Sequence, residues 1–352
     1  MKICFVVPDL NCGGVQRVTS ELSNVLVSLG HEVAIVLLFK AEEPFYSLDS
    51  KVTYLMPAQK RSKNTFGLFK VMTDLRSTIK KVNPDVVIAF HHRYNPFVVL
   101  SLVFTGKKVF VSDRCNPYNK LHPFFNEWMR EIMYPKAAGL LVQTNIAAQV
   151  KKHLNKNVYV FPNPIKQLKY TDNLNKEKII ISVGRFDVGK GQDNIIRIFS
   201  LVDKELRKDW KLVLVGDGPQ RKKLEDLSRE LNVSDRVEFL GARKDVDYLL
   251  SISEIFAFAS QEEGYPNALL EGMGMGLACI SYDCCAGPAD LINDEENGFL
   301  VPLNDESLFV DRLSYLMCNE NLRKEFGAKA AKVRETNNIF RITNLLLNYI
   351  TK

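Results

Sequence analysis

The stretch IIISVGRFDVGKGQD, residues 179–193, joins an unbroken apolar run to a glycine-rich loop and then to an amphipathic segment. Short apolar runs without polar alternation are typical of strands that are buried on both faces, as in parallel sheets covered by helices. The same pattern continues downstream, with predicted helices at 193–206 and 220–231 and predicted strands at 211–215, 237–240, 255–259, 278–281 and 299–301. These residues therefore predict a doubly wound parallel sheet.

An earlier cycle of the same kind occupies the first half of the chain. Its predicted strands are 3–7, 33–38, 86–90, 109–112 and 140–143, and its predicted helices are 13–29 and 60–82. The turn-prone sequence FPNP at 161–164 and the polar residues after it separate the two cycles. We predict an α/β protein with two Rossmann-like domains, residues 1–163 and 164–336, and a C-terminal helix in 337–352 that packs back on the N-terminal domain. Ligands are expected in a central cleft, where the carboxyl ends of the two sets of strands face each other.

Composition is that of an ordinary globular protein. The chain has 352 residues, 46% of them hydrophobic, and no apolar run reaches the roughly 18–20 residues that a membrane-spanning helix needs. The N-terminal residues MKICFVVPDLN are too briefly apolar for a signal peptide. Seven scattered cysteines without a CxxC pair indicate free thiols in a reducing compartment. We therefore expect a cytoplasmic protein.

Charge is divided unevenly along the chain. Residues 1–165 contain 21 Lys and Arg against 11 Asp and Glu, a net charge of +10, whereas residues 166–352 contain 26 against 30, a net charge of −4. This asymmetry indicates that the first half meets an anionic partner. Nucleic acid, an anionic membrane surface and a diphosphate-bearing lipid all fit the charge. No basic motif with interleaved aromatic residues of the RRM type is present, and we expect no nucleic-acid partner.

Two glycine-rich loops follow predicted strands. In DLNCGGVQR (9–17), Gly13 and Gly14 allow close backbone approach, and the N-terminus of the following helix favours a phosphate. In GRFDVGKG (184–191), Arg185 and Lys190 are two cations that can clamp a diphosphate without a metal. A tight turn at Gly13 and a solvated charged loop at Arg185 fit the residues equally well.

Two glutamates flank a predicted helix start in EEGYPNALLE (262–271). Glu263 follows the predicted strand 255–259, and Glu271 falls inside a helix whose first residue we expect to be Pro266. Two solvated glutamates are the commoner outcome for such a pair, but the apolar residues at 268–270 predict a buried helix. Both carboxylates are therefore expected to point into the cleft.

Three stretches together resemble the retaining glycosyltransferases of family four, which have the GT-B fold. They are GGVQRV at 13–18, SVGRFDVGKGQD at 182–193, and EEGYPNALLEGMGMGLACISYDCCAGPADLINDEENGFLVP at 262–302. The last contains the E-x7-E signature of the family and is the most specific of the three. The resemblance covers most of the chain and is densest over residues 179–302.

The resemblance implies a role for each matching residue. Arg185 and Lys190 would bind the donor diphosphate and stabilise it as it leaves. Glu263 would orient and stabilise the donor sugar without acting as a nucleophile, because the resemblance implies front-face attack, in which the leaving phosphate helps to deprotonate the acceptor. Glu271 would hold the ribose hydroxyls and Gly14 would offer its backbone N–H to the diphosphate. The donor-binding residues would thus be Gly13, Gly14, Gly264, Asn267 and Glu271.

The resemblance also implies the substrates. The donor would be a UDP-sugar and the acceptor a saccharide linked to a polyprenyl diphosphate, in bacterial polysaccharide or glycan assembly. No cofactor or metal is expected, and the formal DxD motif of Asp245 and Asp247 is interpreted as the capping end of a helix. A nucleotide-sugar epimerase of the same architecture and a non-catalytic protein that binds sugar or nucleic acid stay open as alternatives.

Residues of the N-terminal domain are implicated by position. The predicted strand 86–90 ends in His91, His92 and Arg93. Adjacent side chains on an extended chain point to opposite sides, so one histidine, His92, is expected in the active site. Packing or surface histidines are the alternative. Arg93, and Arg114 after the next strand, are expected on the acceptor side.

A basic segment between residues 60 and 81 predicts membrane contact. It contains one acid, Asp74, with interleaved apolar residues at 66, 68, 69, 71 and 72. Its seven cations are Lys60, Arg61, Lys63, Lys70, Arg76, Lys80 and Lys81. A helix here can present cations to anionic lipid, so we expect peripheral attachment to the inner face of the cell membrane. The alternative is a solvated helix whose apolar side belongs to the domain core.

Overall fold

The computed structural model describes residues 1–11, 13–40, 43–57, 65–119, 124–169 and 175–352. They divide into two compact units, Met1–Pro164 together with Ile339–Lys352, and Ile165–Asn338. Each unit holds one parallel sheet with an apolar cluster on either face. The prediction of two Rossmann-like α/β domains is confirmed.

The first unit is built on a seven-stranded parallel sheet. Its strands are β1 (Lys2–Val7), β2 (Glu32–Leu37), β3 (Thr53–Leu55), β4 (Val86–Ala89), β5 (Lys108–Asp113), β6 (Gly139–Val142) and β7 (Val158–Val160), in the spatial order β3-β2-β1-β4-β5-β6-β7. Its first helices are α1 (Gly14–Ser28), α2 (Thr65–Val82), α3 (Asn95–Leu102), α4 (Phe124–Met133) and α5 (Asn145–Val150). The order reverses between β1 and β4, which is where doubly wound sheets bind ligands.

The sequence does not predict the edge strands β3 and β7. Each has three residues, and none of their side chains is fully buried. Both strands are therefore shorter and less buried than the central strands of this sheet. The predicted helix at 60–82 is observed from Thr65 onward, and residues 58–64 lie outside the described part of the chain.

The second unit is built on a six-stranded parallel sheet. Its strands are β8 (Ile179–Val183), β9 (Lys211–Val215), β10 (Val237–Gly241), β11 (Ile255–Phe258), β12 (Ala278–Asp283) and β13 (Phe299–Pro302), in the order β10-β9-β8-β11-β12-β13. Its helices are α6 (Gln192–Leu201), α7 (Lys204–Arg207), α8 (Arg221–Glu230), α9 (Val246–Ile252), α10 (Asn267–Gly274), α11 (Glu306–Cys318), α12 (Glu320–Ala330) and α13 (Val333–Thr336). Here the order reverses between β8 and β11, the strands that precede the Arg185 and Glu263 loops.

The helix expected at 193–206 is interrupted. Val202 leaves the helical conformation after α6, with φ of −60° and ψ of 140°. The carboxylate of Asp203 then accepts from the backbone N–H groups of Glu205 (2.9 Å) and Leu206 (3.2 Å). An aspartate that caps a new helix in this way separates α7 from α6.

The last helix, α14 (Ile339–Ile350), belongs to the first unit. Its buried residues Ile342, Leu346 and Ile350 share an apolar cluster with residues of α1. Tyr349 stacks on Tyr159, with ring centroids 4.5 Å apart, and its hydroxyl donates to the carbonyl of Val160 at 3.0 Å. These contacts place the C-terminal segment on the α1 face of the first sheet. Among the described helices, neither α14 nor any other is long and apolar enough to cross a membrane.

Candidate active site

Close backbone contact locks together the loops that follow β8 and β11. Gly191 has a φ of 77°, and a Cβ atom there would lie 1.8 Å from the carbonyl oxygen of Ala259. The backbone N–H of Gln261 donates to the carbonyl of Gly189 at 2.8 Å. Only glycine fits at position 191. The loops that carry Lys190 and Glu263 are therefore held in one arrangement.

Lys190 and Glu263 form an ion pair at this junction. Lys190 Nζ donates to Glu263 Oε1 at 2.8 Å, and the hydroxyl of Ser260 donates to the same oxygen at 3.0 Å. The Glu263 side chain is 13% exposed and that of Lys190 is 35% exposed. The carboxylate is therefore held by two donors, while the lysine, which has three N–H groups, can also donate to an anion that arrives from solvent.

Arg185 extends from the same loop into solvent, with 71% of its side chain exposed. Its guanidinium pairs with Asp187, and the neighbouring Phe186 is fully buried. Phe186 anchors the loop, which keeps Arg185 at the carboxyl edge of the sheet. An anion that displaces Asp187 would meet the planar fork of the guanidinium.

The turn GDGP at 216–219 supports the Arg185 loop. A Cβ atom on Gly216 would lie 1.9 Å from the carbonyl oxygen of Gly184, and one on Gly218 would lie 2.3 Å from that of Phe186. The N–H of Phe186 donates to the carbonyl of Asp217 at 2.9 Å. The glycines of this turn thus serve close packing against the neighbouring loop.

Glu271 lies in α10 and shares a lysine with α9. Lys166 Nζ lies 2.9 Å from Glu271 Oε2 and 2.9 Å from Asp247 Oδ1. The backbone N–H of Lys169 donates to Asp247 Oδ2 at 3.0 Å. Burial works to lower the pKa of Lys166, but the two carboxylates outweigh it and raise that pKa above its ordinary value. Lys166 therefore stays charged and fixes the position of Glu271.

Lys166 is a site residue that the sequence did not reveal. It lies directly after the FPNP turn, far along the chain from both of its carboxylate partners. Its only signal is indirect: Glu271 is a carboxylate on a helix predicted to be buried, and such a group needs a cation or hydrogen-bond donors nearby. Nothing in the spacing of the residues says which lysine that is.

Two predictions about helix starts in the second unit, those of α9 and α10, are wrong. Asp245 precedes α9 as expected, but its carboxylate makes no capping bond and accepts instead from Arg243 Nε (2.8 Å) and Nη2 (2.6 Å). Pro266 precedes α10 and is not its first residue, because its ψ of 81° is not helical.

Gly264 lies in the loop between β11 and α10, and Asn267 is the first residue of α10. Within the described ranges, no group of three or more His, Cys, Asp or Glu side chains could hold a metal ion.

In the first unit, the neighbouring strands β1 and β4 lead to the Gly13 loop and to His91. Gly14 begins α1, and Gly13 has an extended backbone with φ of 173° that any residue can adopt. A Cβ atom on Gly13 would lie 2.4 Å from Gln16 Oε1, the end of a movable side chain. Asp9 Oδ1 accepts from Gln16 Nε2 at 3.1 Å and so closes this loop. The glycine pair is thus placed at the carboxyl edge without a conformational need for glycine at 13.

The two histidines lie side by side, contrary to the expectation that they point to opposite sides. Their rings stack with centroids 4.8 Å apart and planes at 15°. The reason is a turn, since the backbone N–H groups of Tyr94 and Asn95 both donate to the carbonyl of His91 at 2.9 Å. Burial lowers the pKa of His91 to about 4. Burial also lowers the pKa of His92, so both imidazoles are neutral at pH 7.

The two arginines predicted on the acceptor side have different surroundings. Arg93 is exposed and makes no ion pair with any described residue. The guanidinium of Arg114 lies over the rings of Phe90 (4.9 Å) and Phe161 (5.3 Å) and donates to Asn163. Arg114 is therefore engaged inside its own unit, whereas Arg93 is available to a ligand.

A buried ion pair that the sequence does not reveal lies at the end of β5. Lys151 Nζ donates to Asp113 Oδ2 at 2.6 Å, and both side chains are almost fully buried. Burial works to raise the pKa of Asp113, but the charge and hydrogen bond of Lys151 outweigh it and lower that pKa overall. The negative charge of Asp113 raises the pKa of His92. Three positive charges lower that pKa, those of Lys151, Arg130 and Arg93, so charged groups of both signs surround the imidazole.

Sequence comparison gives two family matches that are contiguous along the chain. A model described as Glycosyltransferase Family 4 matches residues 12–166, and one described as Glycosyl transferases group 1 matches residues 165–333. An alpha-1,4-N-acetyl-D-galactosaminyltransferase of Campylobacter jejuni, named for the acceptor GalNAc-alpha-(1->4)-GalNAc-alpha-(1->3)-diNAcBac-PP-undecaprenol, is 29% identical, with 92% of this chain and 91% of the relative aligned. The amylovoran biosynthesis glycosyltransferase AmsD of Erwinia amylovora is 28% identical, with 91% of each chain aligned.

Solved structures agree on the fold. A glycosyltransferase from Rickettsia africae superposes with a TM-score of 0.81 at 21% identity, covering 100% of this chain and 98% of that one. HepE of Anabaena, solved with UDP and glucose, gives a TM-score of 0.81 at 14% identity, covering 100% and 99%. The structural neighbours show that the chain has the GT-B fold. The two family matches, which together span residues 12–333, show that the chain belongs to glycosyltransferase family four.

Proposed function

We propose that the protein is a retaining, metal-independent glycosyltransferase that moves a sugar from a UDP-sugar to a saccharide carried on a polyprenyl diphosphate. The observation that supports this most directly is the junction of the β8 and β11 loops. There Lys190 and Ser260 hold the Glu263 carboxylate, and Arg185 extends from the same loop as Lys190. Two cations can stabilise a departing nucleoside diphosphate, and an oriented carboxylate can stabilise the sugar that it leaves.

The donor diphosphate would bind to Arg185 and Lys190. Arg185 exchanges Asp187 for phosphate oxygens, and Lys190 keeps its bond to Glu263 while a second N–H turns to the diphosphate. As the bond from the anomeric carbon to the phosphate oxygen breaks, negative charge grows on the leaving diphosphate. Cations already in place stabilise that charge without reorganisation, and each such contact is worth about 2.7–4 kcal/mol in the transition state.

Glu263 would orient the sugar and stabilise positive charge at the anomeric carbon. One of its oxygens already accepts two hydrogen bonds, which fix the orientation of the carboxylate. In front-face attack, the acceptor oxygen bonds to the anomeric carbon on the side that the diphosphate leaves. The acceptor proton passes to the departing phosphate oxygen, so no protein base is required.

Glu271 would accept hydrogen bonds from the ribose hydroxyls, as a charged carboxylate fixed by Lys166. Gly264 and Asn267, at the start of the same segment, are assigned to the donor sugar side. Uridine is favoured as the base because neighbouring structures were solved with UDP. The carboxylates of the DxD motif are already paired, Asp245 with Arg243 and Asp247 with Lys166, which favours catalysis without a metal.

The acceptor is assigned to the first unit, where His92 and Arg93 follow β4 at the carboxyl edge of the sheet. Gly13 and Gly14 stay assigned to the donor diphosphate. Relatives named for undecaprenol-linked acceptors and for amylovoran synthesis support a lipid-linked saccharide in bacterial surface-glycan assembly. We assign the protein to the cytoplasmic face of the membrane, attached peripherally. An epimerase is disfavoured because it needs no lipid-directed surface.

Helix α2 supports this attachment. Its residues Val71, Leu75 and Ile79 pack in the domain core. For these three residues, the helix fits the alternative to membrane contact, in which its apolar side belongs to the core. Phe69 nevertheless remains 65% exposed, and Lys70, Arg76, Lys80 and Lys81 lie on the exposed surface of the helix. The other three cations of the predicted segment, Lys60, Arg61 and Lys63, lie outside the described residues.

The activity is tested by nucleotide release from a panel of UDP-Gal, UDP-Glc, their N-acetyl forms and GDP-mannose, with and without a lipid-linked acceptor. We expect release that depends on the acceptor and a product with the anomeric configuration of the donor. Equal release without acceptor, or an inverted product, would contradict the proposal.

Membrane attachment is tested by sedimentation with anionic liposomes. Changing Lys60, Arg61, Lys63 and Lys70 to Ser should weaken binding, as should a rise in salt, because surface charge is screened within roughly 8–10 Å at 0.1–0.15 M salt. A matched control changes four exposed lysines of the second unit, Lys204, Lys208, Lys222 and Lys223, to Ser. Equal loss in both variants would reject the basic segment 60–81 as the anchor.

A further inference from the structure

Helices α2, α3 and α4 of the first unit enclose an apolar groove of about 730 Å³. Its walls are formed mainly by Leu68, Phe69, Met72, Phe97, Leu100 and Met129. This volume lies within the range of roughly 300–1,000 Å³ that is typical of small-molecule sites, which are likewise apolar with a few polar groups. All of its lining residues belong to the first unit.

The charged residues that line the groove are Arg76 and Arg93, and none of the described lining residues is acidic. Arg76 Nη1 donates to the carbonyls of Ser101 (3.0 Å) and Val103 (3.2 Å), which fixes it against the end of α3. Arg93 is exposed and has no ion-pair partner among the described residues. The groove therefore suits a hydrocarbon that carries an anionic group.

The position of Arg93 sets the direction of such a ligand. Arg93 follows His92 directly, just after β4, so the groove opens towards the carboxyl edge of the first sheet. A diphosphate at Arg93 would place whatever it carries beside His91 and His92. The apolar part of the ligand would then lie between α2, α3 and α4.

Apolar surface continues beyond the groove. Phe125, which lines it, is 53% exposed, and Trp128 on the same helix is 50% exposed. With Phe69 on α2, these side chains leave large aromatic rings in solvent, and contiguous apolar surface of this kind marks a binding site. A hydrocarbon longer than the groove can therefore continue along α4 without leaving apolar contact.

We propose that this groove binds the isoprene units nearest the diphosphate of a polyprenyl diphosphate, with the diphosphate on Arg93. The inference rests on the proposed function, since it assigns the lipid part of the proposed acceptor to a particular surface. The inference adds that the protein binds the isoprene chain of the lipid directly, besides contacting the membrane surface. An acidic amphipathic peptide is the competing occupant. A groove that served such a peptide would not bind a prenyl diphosphate more tightly than free diphosphate.

The test is isothermal titration of the full chain with farnesyl diphosphate, kept below the concentration at which it forms micelles. Farnesol and inorganic diphosphate are titrated for comparison. We expect farnesyl diphosphate to bind at least tenfold more tightly than either, because neither alone fills both the groove and Arg93. Arg93→Gln should weaken farnesyl diphosphate binding and leave farnesol binding unchanged.

A matched pair of variants separates the groove from apolar surface in general. Thr73 is exposed and lines the groove, so Thr73→Trp should occlude it, whereas Ser77→Trp adds the same ring at an exposed position one turn along α2 that does not line the groove. We expect Thr73→Trp to weaken farnesyl diphosphate binding at least tenfold and Ser77→Trp to change it less than twofold. Phe125→Glu, at a half-exposed position, should also weaken it and serves if Thr73→Trp does not fold.

Equal affinity in the wild type and in both groove variants, or no preference over farnesol and diphosphate, would overturn the inference. A UDP titration on the same preparations separates this outcome from failure of the proposed function. Wild-type protein that binds UDP but not farnesyl diphosphate would remove the groove assignment alone. Wild-type protein that fails to bind UDP would remove the proposed donor site.

Discussion

Lys166 offers the sharpest test of the proposed nucleotide site, because it acts on the ribose only through Glu271. Its ammonium lies 2.9 Å from Glu271 and 2.9 Å from Asp247. Lys166→Met keeps the length of the side chain and removes the charge. Two carboxylates would then face each other without a cation, and Glu271 would be free to turn away from the position in which it meets the ribose.

The magnitude follows from the contacts that are lost. The side chains of Lys166, Glu271 and Asp247 are all less than a quarter exposed, so solvent screens the ion pairs only in part. A hydrogen bond to a charged group contributes about 1.5–3 kcal/mol. Taking the lower half of that range, about 1.5–2.25 kcal/mol, for this partly exposed bridge, UDP should bind about 10- to 40-fold more weakly.

The assay is titration of UDP and of 2′-deoxy-UDP into the wild type, Lys166→Met and Lys166→Arg. Because Lys166 is argued to act through the ribose contact of Glu271, the loss should be large for UDP and small for the deoxy nucleotide, as in a double-mutant cycle. Lys166→Arg should restore most of the affinity. Since the pKa of Lys166 is raised, its contribution should be constant from pH 6 to 9 and disappear only as pH rises past its ordinary pKa of about 10.5.

The control is Lys178→Met, which removes an exposed ion pair with Asp209 (3.1 Å) in the same unit. It should leave UDP affinity unchanged, because exposed pairs contribute about 0–1 kcal/mol to stability and this one touches no site residue. Equal losses for the two nucleotides in Lys166→Met, or unchanged affinity in a folded variant, would refute the positioning role.

Three further predictions concern the chemistry and the histidines. Glu263→Gln and Arg185→Ala should each lower kcat about 10²- to 10³-fold without unfolding, whereas Arg243→Ala, which breaks a similar exposed pair with an aspartate two residues on, should leave kcat unchanged. Transfer should continue in EDTA; loss of activity that magnesium or manganese restores would contradict the diphosphate role of Arg185 and Lys190. Because burial lowers the pKa of His91 to about 4, the unfolded state binds more protons between pH 6.5 and 4, and the free energy of unfolding should fall over that window by at most about 3 kcal/mol, at about 1.4 kcal/mol per pKa unit. Urea unfolding of the wild type and His91→Gln at pH 7 and pH 5 checks this, and an equal fall in both proteins would exclude His91 as the cause.

The central strands could be predicted because burial on both faces leaves a continuous apolar run. Residues 179–183 illustrate this, since the predicted strand and β8 have the same limits. The edge strands β3 and β7 give a weaker signal, because each has only three residues and none of them is fully buried. Asp203 shows a second reason why prediction from sequence fails. In the sequence it is a polar residue within a helical pattern, and only the hydrogen bonds that its carboxylate accepts from Glu205 and Leu206 show that a new helix starts there.

The residues of the candidate site likewise fall into two groups, those that the local sequence reveals and those that depend on distant partners. Arg185, Lys190 and Glu263 could be selected from sequence because each lies in a loop at the end of a strand, and strand ends in a parallel sheet share an edge. Lys166 and Lys151 could not, because each is chosen by a carboxylate that is distant along the chain. The stacking of His91 on His92 is not apparent from the sequence, because an extended strand would separate the two rings, whereas the chain turns at His91.

Each of the three cations in or next to the proposed donor site pairs with a carboxylate, and these pairs affect how the donor binds. Arg185 pairs with Asp187, Lys190 with Glu263, and Lys166 with Glu271, so the site holds its cations without mutual repulsion before the nucleotide arrives. Only the Arg185 pair must break, and it is the most exposed of the three. An exposed ion pair contributes about 0–1 kcal/mol, so exchanging Asp187 for a diphosphate costs little. Lys190 and Lys166 keep their partners while the donor binds, which preserves the orientation of the two glutamates. The E-x7-E carboxylates are thus positioned by lysines from outside the motif, and the motif alone does not make the site.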